Sequence, residues 1–307
     1  MGYSARYHAA SLAAVFLALA IGILVGVGFG SDVLTGTAES LEQSLSSDLD
    51  DAREQVADLE DQVDTEQRFN RLAYPALVDD RLRGREVALV AFGDIDDQMT
   101  ADVRGALQAS GATLREVAVV NEPPDPDAVI DALGGDRAPA LSRDDALTLA
   151  GERAGGLLVR GGTRFDALRS SLLGRYSGAP GDVDGVVVVR ARPDDMSQRE
   201  AEDADRLEEA MIAGMQLAYA RRTEGGQPPR VAVVGVERSD DPESSIEFFN
   251  ARRVASVDNI NQLPGKVSLV YVLGGAEGSY GVKETADGLL PDLLEPSDLA
   301  FGAPRQG

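Results

Sequence analysis

The chain has 307 residues, of which 43% are hydrophobic and 26% charged, and its formal net charge is −23 at pH 7. A chain this acidic repels nucleic acid and anionic lipid headgroups, so nucleic acid is excluded as an expected partner. With no cysteine and a single histidine, His8, the sequence also excludes disulfides, thiolate metal sites and multi-histidine metal sites.

The first predicted element is a transmembrane helix over residues 9–30. The run from Ala9 to Gly30 is 22 residues long and carries no charge, and such a helix spans roughly 30 Å, the thickness of a bilayer's hydrocarbon core. Arg6 precedes the run and Asp32 follows it. The positive-inside rule therefore places residues 1–8 in the cytoplasm and the rest of the chain outside. A cleaved signal peptide is the open alternative, although such peptides have apolar stretches of about 7–15 residues.

Residues 31–83 form a predicted acidic stalk. Apolar residues recur there at steps of three and four, which indicates a helix from about Thr37 to Tyr74 that Pro75 ends. The register is a regular heptad from Leu49 to Val63, typical of a coiled coil. The stretch 38–66 holds 11 acidic residues and one basic residue, a net −10, so a parallel homodimer is expected to align like charges. A solvated spacer helix and pairing with a basic partner remain alternatives.

Beyond Gly84, short β-branched runs alternate with helical stretches, which predicts an α/β domain over residues 84–282. Near-continuous apolar strands separated by helices indicate an open, mostly parallel, layered sheet with right-handed crossovers, a Rossmann-like architecture. A flexible tail is expected over residues 283–307. The predicted strands are 86–92, 113–120, 157–162, 185–190, 230–237 and 266–275, and the predicted helices are 96–111, 142–156, 164–174, 197–222 and 244–253.

Two glycine-containing segments resemble anion-binding loops only in part. The run "VRGGTRFD" (residues 159–166) follows a predicted strand and precedes a predicted helix, but it lacks the Lys-Ser/Thr of a nucleotide-binding loop and the third glycine of a dinucleotide fingerprint. Gly274–Gly281 also lacks the residues of a nucleotide-binding or dinucleotide-binding loop. A tight turn and a flexible loop are the better interpretations, so no cofactor-binding residue is assigned.

Methionines and carboxylates are the remaining chemical candidates. Met211 and Met215 stand four apart on one helix face, a spacing that could hold Cu(I), but methionine at this spacing more often fills a core. Aspartate pairs begin at positions 96, 144, 194 and 240, at predicted helix starts where they cap N–H groups. No metal ligand and no catalytic residue is therefore assigned, and the chain is not expected to be an enzyme.

The order of the segments resembles the actinobacterial MctB proteins, known as the copper transporter family, with a layout shared by the related SteB proteins. The opening "HAASLAAVFLALAIGILVGVGFGSD" and Ser256–Asn259 (Ser-Val-Asp-Asn) carry the resemblance most specifically. Further similar segments lie in the same order at 184–190, 230–235, 254–273 and 278–281. The resemblance covers nearly all of the chain up to Gly281.

The resemblance implies copper homeostasis and export across the envelope, with copper as cargo and no resident cofactor. Some members are described as outer-membrane channels, but the sequence lacks the repeated ten-residue alternating segments of a transmembrane barrel. The alternative is a non-enzymatic, SteB-like envelope scaffold that binds a partner through its stalk. The expected partners are the lipid bilayer, an envelope protein, and a second copy paired through the stalk and the Gly22–Gly26 spacing of the anchor.

Overall fold

The computed structural model describes residues 5–132, 142–218 and 231–292. It divides into two compact units, residues 1–69 and residues 70–307. Helix α1 (Ala5–Val78) makes up the whole described part of the first unit and ends in the second.

Helix α1 contains the predicted membrane helix and the predicted stalk helix without an interruption. The window Ala10–Val27 has a mean hydropathy of 2.6, and none of it is buried, so by length and composition it can cross a membrane. Pro75 does not end the helix as predicted, because α1 continues to Val78. A proline removes its own N–H donor and crowds the turn before it, but the turn after it can still form, and the Asp79 N–H donates to the Pro75 carbonyl at 2.7 Å.

The second unit contains a seven-stranded sheet in the order β3-β2-β1-β4-β5-β6-β7. All neighbouring strands are parallel except β3, which pairs antiparallel to β2 at one edge. The predicted α/β fold class is confirmed. The strands are β1 (Glu86–Gly93), β2 (Thr113–Val120), β3 (Leu173–Gly178), β4 (Gly185–Ala191), β5 (Ala232–Val236), β6 (Ala255–Val257) and β7 (Ser279–Tyr280).

Seven further helices in the described ranges connect and cover these strands. They are α2 (Asp97–Ala109), α3 (Pro126–Ala132), α4 (Arg143–Arg160), α5 (Phe165–Leu172), α6 (Gln198–Gln216), α7 (Ile246–Ala251) and α8 (Leu263–Leu273). Successive side chains of a strand point to opposite faces. Val90 and Phe92 therefore belong to the core beneath α4 and α6, whereas Leu89 and Ala91 belong to the core beneath α2 and α8.

Two predicted strands are helical in the structure. Leu157–Gly162 is predicted as a strand that follows the helix 142–156, but that helix continues as α4 to Arg160. Gly155 lies where α4 crosses α6, and a Cβ there would overlap the Met211 backbone. Lys266–Gly275 is mostly α8, which begins with a proline in its first turn and is buried nearly all round. An apolar run without periodicity is equally compatible with a strand and with a buried helix.

Three short strands are absent from the predicted strands, namely β3, β6 and β7, and β3 begins within the last two residues of the predicted helix 164–174. Residues 283–292, assigned to the tail by the sequence, fold back on β7: the Asp287 N–H donates to the Ser279 carbonyl, and the Gly281 N–H donates to the Gly288 carbonyl. The rest of the tail, 293–307, and the end of the predicted helix 197–222 lie outside the described residues.

Candidate functional site

A cleft of about 390 Å³ opens at the carboxyl ends of β1, β4 and β5. β1 leads into α2 on one face of the sheet, and β4 leads into α6 on the other, so the chain directions diverge between these strands. Ligands of open α/β sheets bind at such a switch point. The charged side chains lining the cleft are Asp94, Asp96, Asp194, Glu237, Asp241, Glu243, Arg190, Arg192 and Arg238.

An arginine–carboxylate cluster forms one wall of the cleft. Arg190 and Arg192 are two apart at the end of β4, so both side chains point to the face covered by α6. Glu208 on α6 is fully buried, and its carboxylate accepts hydrogen bonds from Arg190 Nε at 2.8 Å and from Arg192 Nε at 2.6 Å. Asp205, one turn earlier, accepts the Nη2 groups at 2.6 and 2.8 Å. The two arginines are thus fixed by paired charge-assisted hydrogen bonds.

Glu122 adds a third carboxyl group to this cluster. Its side chain is 2% exposed, and its Oε2 lies 3.5 Å from Arg192 Nε. Burial, followed by the neighbouring Glu208, raises the pKa of Glu122 to about 9, whereas Arg192 and Arg190 oppose the shift. Glu122 therefore keeps its proton at neutral pH, and the two guanidinium groups bond to Glu208 and Asp205.

The opposite wall is held by Glu237, which follows β5 and is 3% exposed. Its carboxylate accepts the Ser244 hydroxyl at 2.8 Å, the Ser245 N–H at 2.6 Å and the Lys283 ammonium at 2.6 Å. Nearby, buried Asp102 on α2 pairs with Lys266 at 3.1 Å and with Arg238 at 3.5 Å. Glu237 and Asp102 are therefore each neutralised by a base from a distant part of the chain.

The Ser256–Asn259 segment positions Lys283 for that contact. Asp258 is 1% exposed, and its carboxylate accepts the N–H groups of Val282 and Lys283 at 2.7 and 2.9 Å. Ser256 and Ser279 share a hydroxyl hydrogen bond at 2.9 Å. The segment that carries the sequence resemblance thus fastens the stretch after β7 to the end of β6, and this brings the Lys283 side chain to Glu237.

The cleft lining carries more acids than bases, six against three, and the three arginines are already paired with carboxylates. An entering anion would compete with these internal carboxylates, so the electrostatics favour a cationic group. Within the described ranges no group of three or more His, Cys, Asp or Glu side chains is arranged to hold a metal ion.

The residues considered from sequence lie apart from this cleft or have structural roles. Met211 and Met215 are fully buried in the core between α4, α6 and the sheet. His8 is an exposed side chain of α1. Gly161 and Gly162, in the first glycine segment, follow a helix rather than a strand, and Gly161 ends α4 with φ at 67°.

The aspartate pairs divide between capping and loop contacts. Asp96 caps α2 by accepting the Met99 N–H at 2.7 Å, and Asp144 lies in the first turn of α4, as predicted for a helix start. Asp241 instead accepts the Arg238 N–H at 2.8 Å, within the loop that borders the cleft. The second glycine segment, Gly274–Gly281, contains β7 rather than only a loop.

Sequence reasoning missed the Glu122–Glu208 cluster. Glu122 lies in a segment that reads as a turn-rich connection, and nothing local relates it to α6. One signal was present: Arg190 and Arg192 alternate at the end of a strand, and Asp205 and Glu208 are three apart on the following helix. Such spacings place both pairs on single faces of adjoining elements.

Comparison with known proteins gives one family. The family model described as "Copper transport outer membrane protein, MctB" matches residues 3–291. Proteins named Copper transporter MctB from Mycobacterium bovis and Mycobacterium tuberculosis are each 26% identical over 313 residues, which cover 91% of this chain and 96% of the relative. The protein of the same name from Mycobacterium leprae is 26% identical over 318 residues, with the same shares covered.

Proposed function

The chain belongs to the MctB family, as the opening segment and Ser256–Asn259 predicted, and from that premise we propose that it acts in copper homeostasis of the cell envelope as a single-pass membrane protein. The observation that carries the proposal is the family match, which runs from the apolar helix through the α/β domain, residues 3–291. The family description names transport rather than a reaction, and the proposed role is accordingly non-enzymatic.

The apolar part of α1 supports membrane attachment. The window Ala10–Val27 is 18 residues long with a mean hydropathy of 2.6, and its side chains make no buried contacts. Burying each Leu, Ile, Val and Phe side chain of this window in hydrocarbon is favourable by roughly 1.5–3 kcal/mol. In the proposed orientation Arg6 lies on the cytoplasmic side and Asp32 on the outer side, so the cleft at the ends of β1, β4 and β5 faces the extracytoplasmic space.

A complementation experiment tests the proposal. A strain lacking the gene is expected to contain more copper, and to grow less well in copper, than its parent, and the full chain is expected to restore both. A variant with Leu17→Arg and Ile21→Arg places two cations in the middle of the span, each costing about 2.5–3.5 kcal/mol on insertion, and is expected not to restore them. The matched variant Leu17→Ala, Ile21→Val keeps the span apolar and is expected to behave as the full chain.

Unchanged copper content and copper sensitivity in the deletion strain would overturn the proposed role. Copper titration of the purified full chain adds a second readout. Saturable binding below micromolar concentration would support direct handling of copper by this chain, whereas its absence would leave the role to be exerted through a partner.

A second candidate function, an envelope scaffold, is favoured by the exposed stalk. The side chains of α1 from residue 44 to residue 72 are all exposed, and this surface is both acidic and, along one line, apolar. A scaffold predicts that deletion of the gene alters cell shape or separation while the copper content stays at the parental level. Copper content therefore discriminates the two functions in one strain.

A further inference from the structure

The stalk part of α1 carries one continuous line of exposed apolar side chains. Leu45, Leu49, Val56, Leu59 and Val63 are between 49% and 59% exposed, and exposed Ala52 completes the line. On a helix, residues that recur at alternate steps of three and four share one face. An apolar face of this length left in water is destabilising, so it calls for a covering helix.

The residue types along the line match a two-stranded coiled coil. In the heptad register, position a is Leu49, Val56 and Val63, and position d is Leu45, Ala52 and Leu59. β-branched residues at a combined with leucine at d favour two parallel strands over higher oligomers.

The charges along the stalk agree with pairing between identical copies. Of the eight acidic residues between positions 44 and 65, six lie at the outward positions b, c and f, namely Asp50, Asp51, Glu54, Asp58, Asp61 and Asp64. The positions that border the seam are nearly neutral, and they include Asp48 at g and Arg53 at e. In a parallel pair, g of one helix meets the next e of the other, so Asp48 faces Arg53 of the second copy.

The repulsion expected from the net charge of the stalk therefore acts between outer faces and not along the seam. Salt screens charges separated by more than about 8–10 Å. Arg53 now pairs with Asp50 of its own helix at 3.2 Å, and both side chains are 70% exposed. An exposed pair of this kind is weak, so the guanidinium is free to move to Asp48 of another copy.

We propose that a second copy of this chain occupies the seam, forming a parallel, in-register, two-stranded coiled coil over residues 45–63. The unbroken α1 helix supplies the alignment, because the stalk continues directly from the membrane helix. Two copies inserted in one membrane with the same orientation start their stalks side by side. For this shared orientation the inference rests on the proposed membrane anchoring.

Cysteine cross-linking of the full chain in membranes tests the pairing, since the natural chain has no cysteine. Ala52→Cys puts a thiol at a seam position, and Ala57→Cys puts one at an outward b position of the same helix. Oxidation with diamide is expected to convert most of the Ala52→Cys protein to a covalent dimer and little of the Ala57→Cys protein, at least a fivefold difference. A disulfide requires Cα atoms closer than about 7 Å, which only the seam provides.

A charge exchange tests orientation and register. Asp48→Arg places two cations together in a parallel pair, and Arg53→Asp places two anions together, so each is expected to lower the cross-linked fraction of Ala52→Cys. Combining both exchanges restores opposite charges and is expected to restore the cross-linked fraction to at least half its original value.

Three results would overturn the proposal: equal cross-linking at both positions, no dimer of the Ala52→Cys protein, or a cross-link to a protein of different mass. Fractionation of the same cells reports the anchor separately. Protein in the membrane without the dimer contradicts the pairing alone, whereas protein in the soluble fraction contradicts the proposed anchoring.

Discussion

Glu122 is predicted to make the domain less stable as the pH rises from 7 to 9. Burial and the neighbouring Glu208 raise the pKa of Glu122 from its ordinary value of 4.5 to about 9 in the folded state. Because the folded state holds a proton that the unfolded state has released, the stabilisation by Glu122 is fully present below pH 4.5. It declines as the pH rises and is lost as the pH passes the folded pKa.

The magnitude follows from proton linkage. Between pH 7 and pH 9, one carboxyl with folded and unfolded pKa values of about 9 and 4.5 lowers the free energy of unfolding by about 2 kcal/mol. Glu122→Gln keeps the shape of the protonated carboxyl and removes the titration. The variant is therefore expected to show a curve of stability against pH that is flatter than that of the parent by this amount.

Urea unfolding of the full chain in non-ionic detergent, followed by the near-ultraviolet circular dichroism of tyrosine, measures the two curves. Glu116→Gln is the matched control. Burial raises the pKa of Glu116 only to about 7, against the opposing effects of Tyr176 and Arg115. The stability curve of Glu116→Gln is expected to diverge from that of the parent below pH 7. From pH 8 to 9 the two curves are expected to be parallel. Parallel curves for Glu122→Gln and the parent above pH 7 would refute the account of the cluster.

Three further predictions concern packing and the segment after β7. Gly155→Ala is expected to lower the free energy of unfolding by about 1–3 kcal/mol, because its Cβ meets the α6 backbone. Gly105→Ala on α2, whose Cβ would have only Lys266 Nζ, at 4.0 Å, as a neighbour, is expected to raise it by up to about 1 kcal/mol; the same sign for both in urea unfolding would contradict the α4–α6 packing. Asp258→Ala removes the acceptor of the Val282 and Lys283 N–H groups. Hydrogen exchange of these two N–H groups is expected to become at least fivefold faster, since such bonds contribute about 1–3 kcal/mol each. Unchanged exchange would contradict the role of Asp258 in holding the segment after β7. The double exchange Met211→Leu, Met215→Leu is expected to cost less than about 1.5 kcal/mol per site and to leave copper tolerance unchanged, and lost tolerance in a folded variant would contradict a purely core role.

The parts of the fold that could be predicted are those where the pattern has one interpretation. β1, β2 and β4 are short β-branched runs bounded by glycine or acidic turns, and they are strands in the structure. The N-terminus of α6 carries a capping box, with Ser197 and Glu200 bonded reciprocally, and its sequence spacing alone indicates the start of a helix.

The parts that could not be predicted depend on tertiary packing. The segment after Gly156 is apolar and predicted as a strand, yet it continues α4, and Gly155 lets α4 approach α6 too closely for a side chain at that position. The run Leu263–Leu273 contains three valines and is buried on almost every side, and the sequence pattern cannot distinguish such a helix from a buried strand. The Glu122 cluster joins elements that are distant in sequence, so no local pattern could reveal that its carboxyl lies beside Glu208.

The most direct test of the account is the side of the membrane on which the α/β domain lies. Ala101, an exposed residue of α2, and Ser4, before the apolar run, can each be replaced by cysteine in a chain that has none of its own. In spheroplasts treated with a membrane-impermeant maleimide, Ala101→Cys is expected to be labelled, and Ser4→Cys only after lysis. Labelling of Ser4→Cys and protection of Ala101→Cys in unbroken spheroplasts would contradict the proposed orientation and, with it, an extracytoplasmic role.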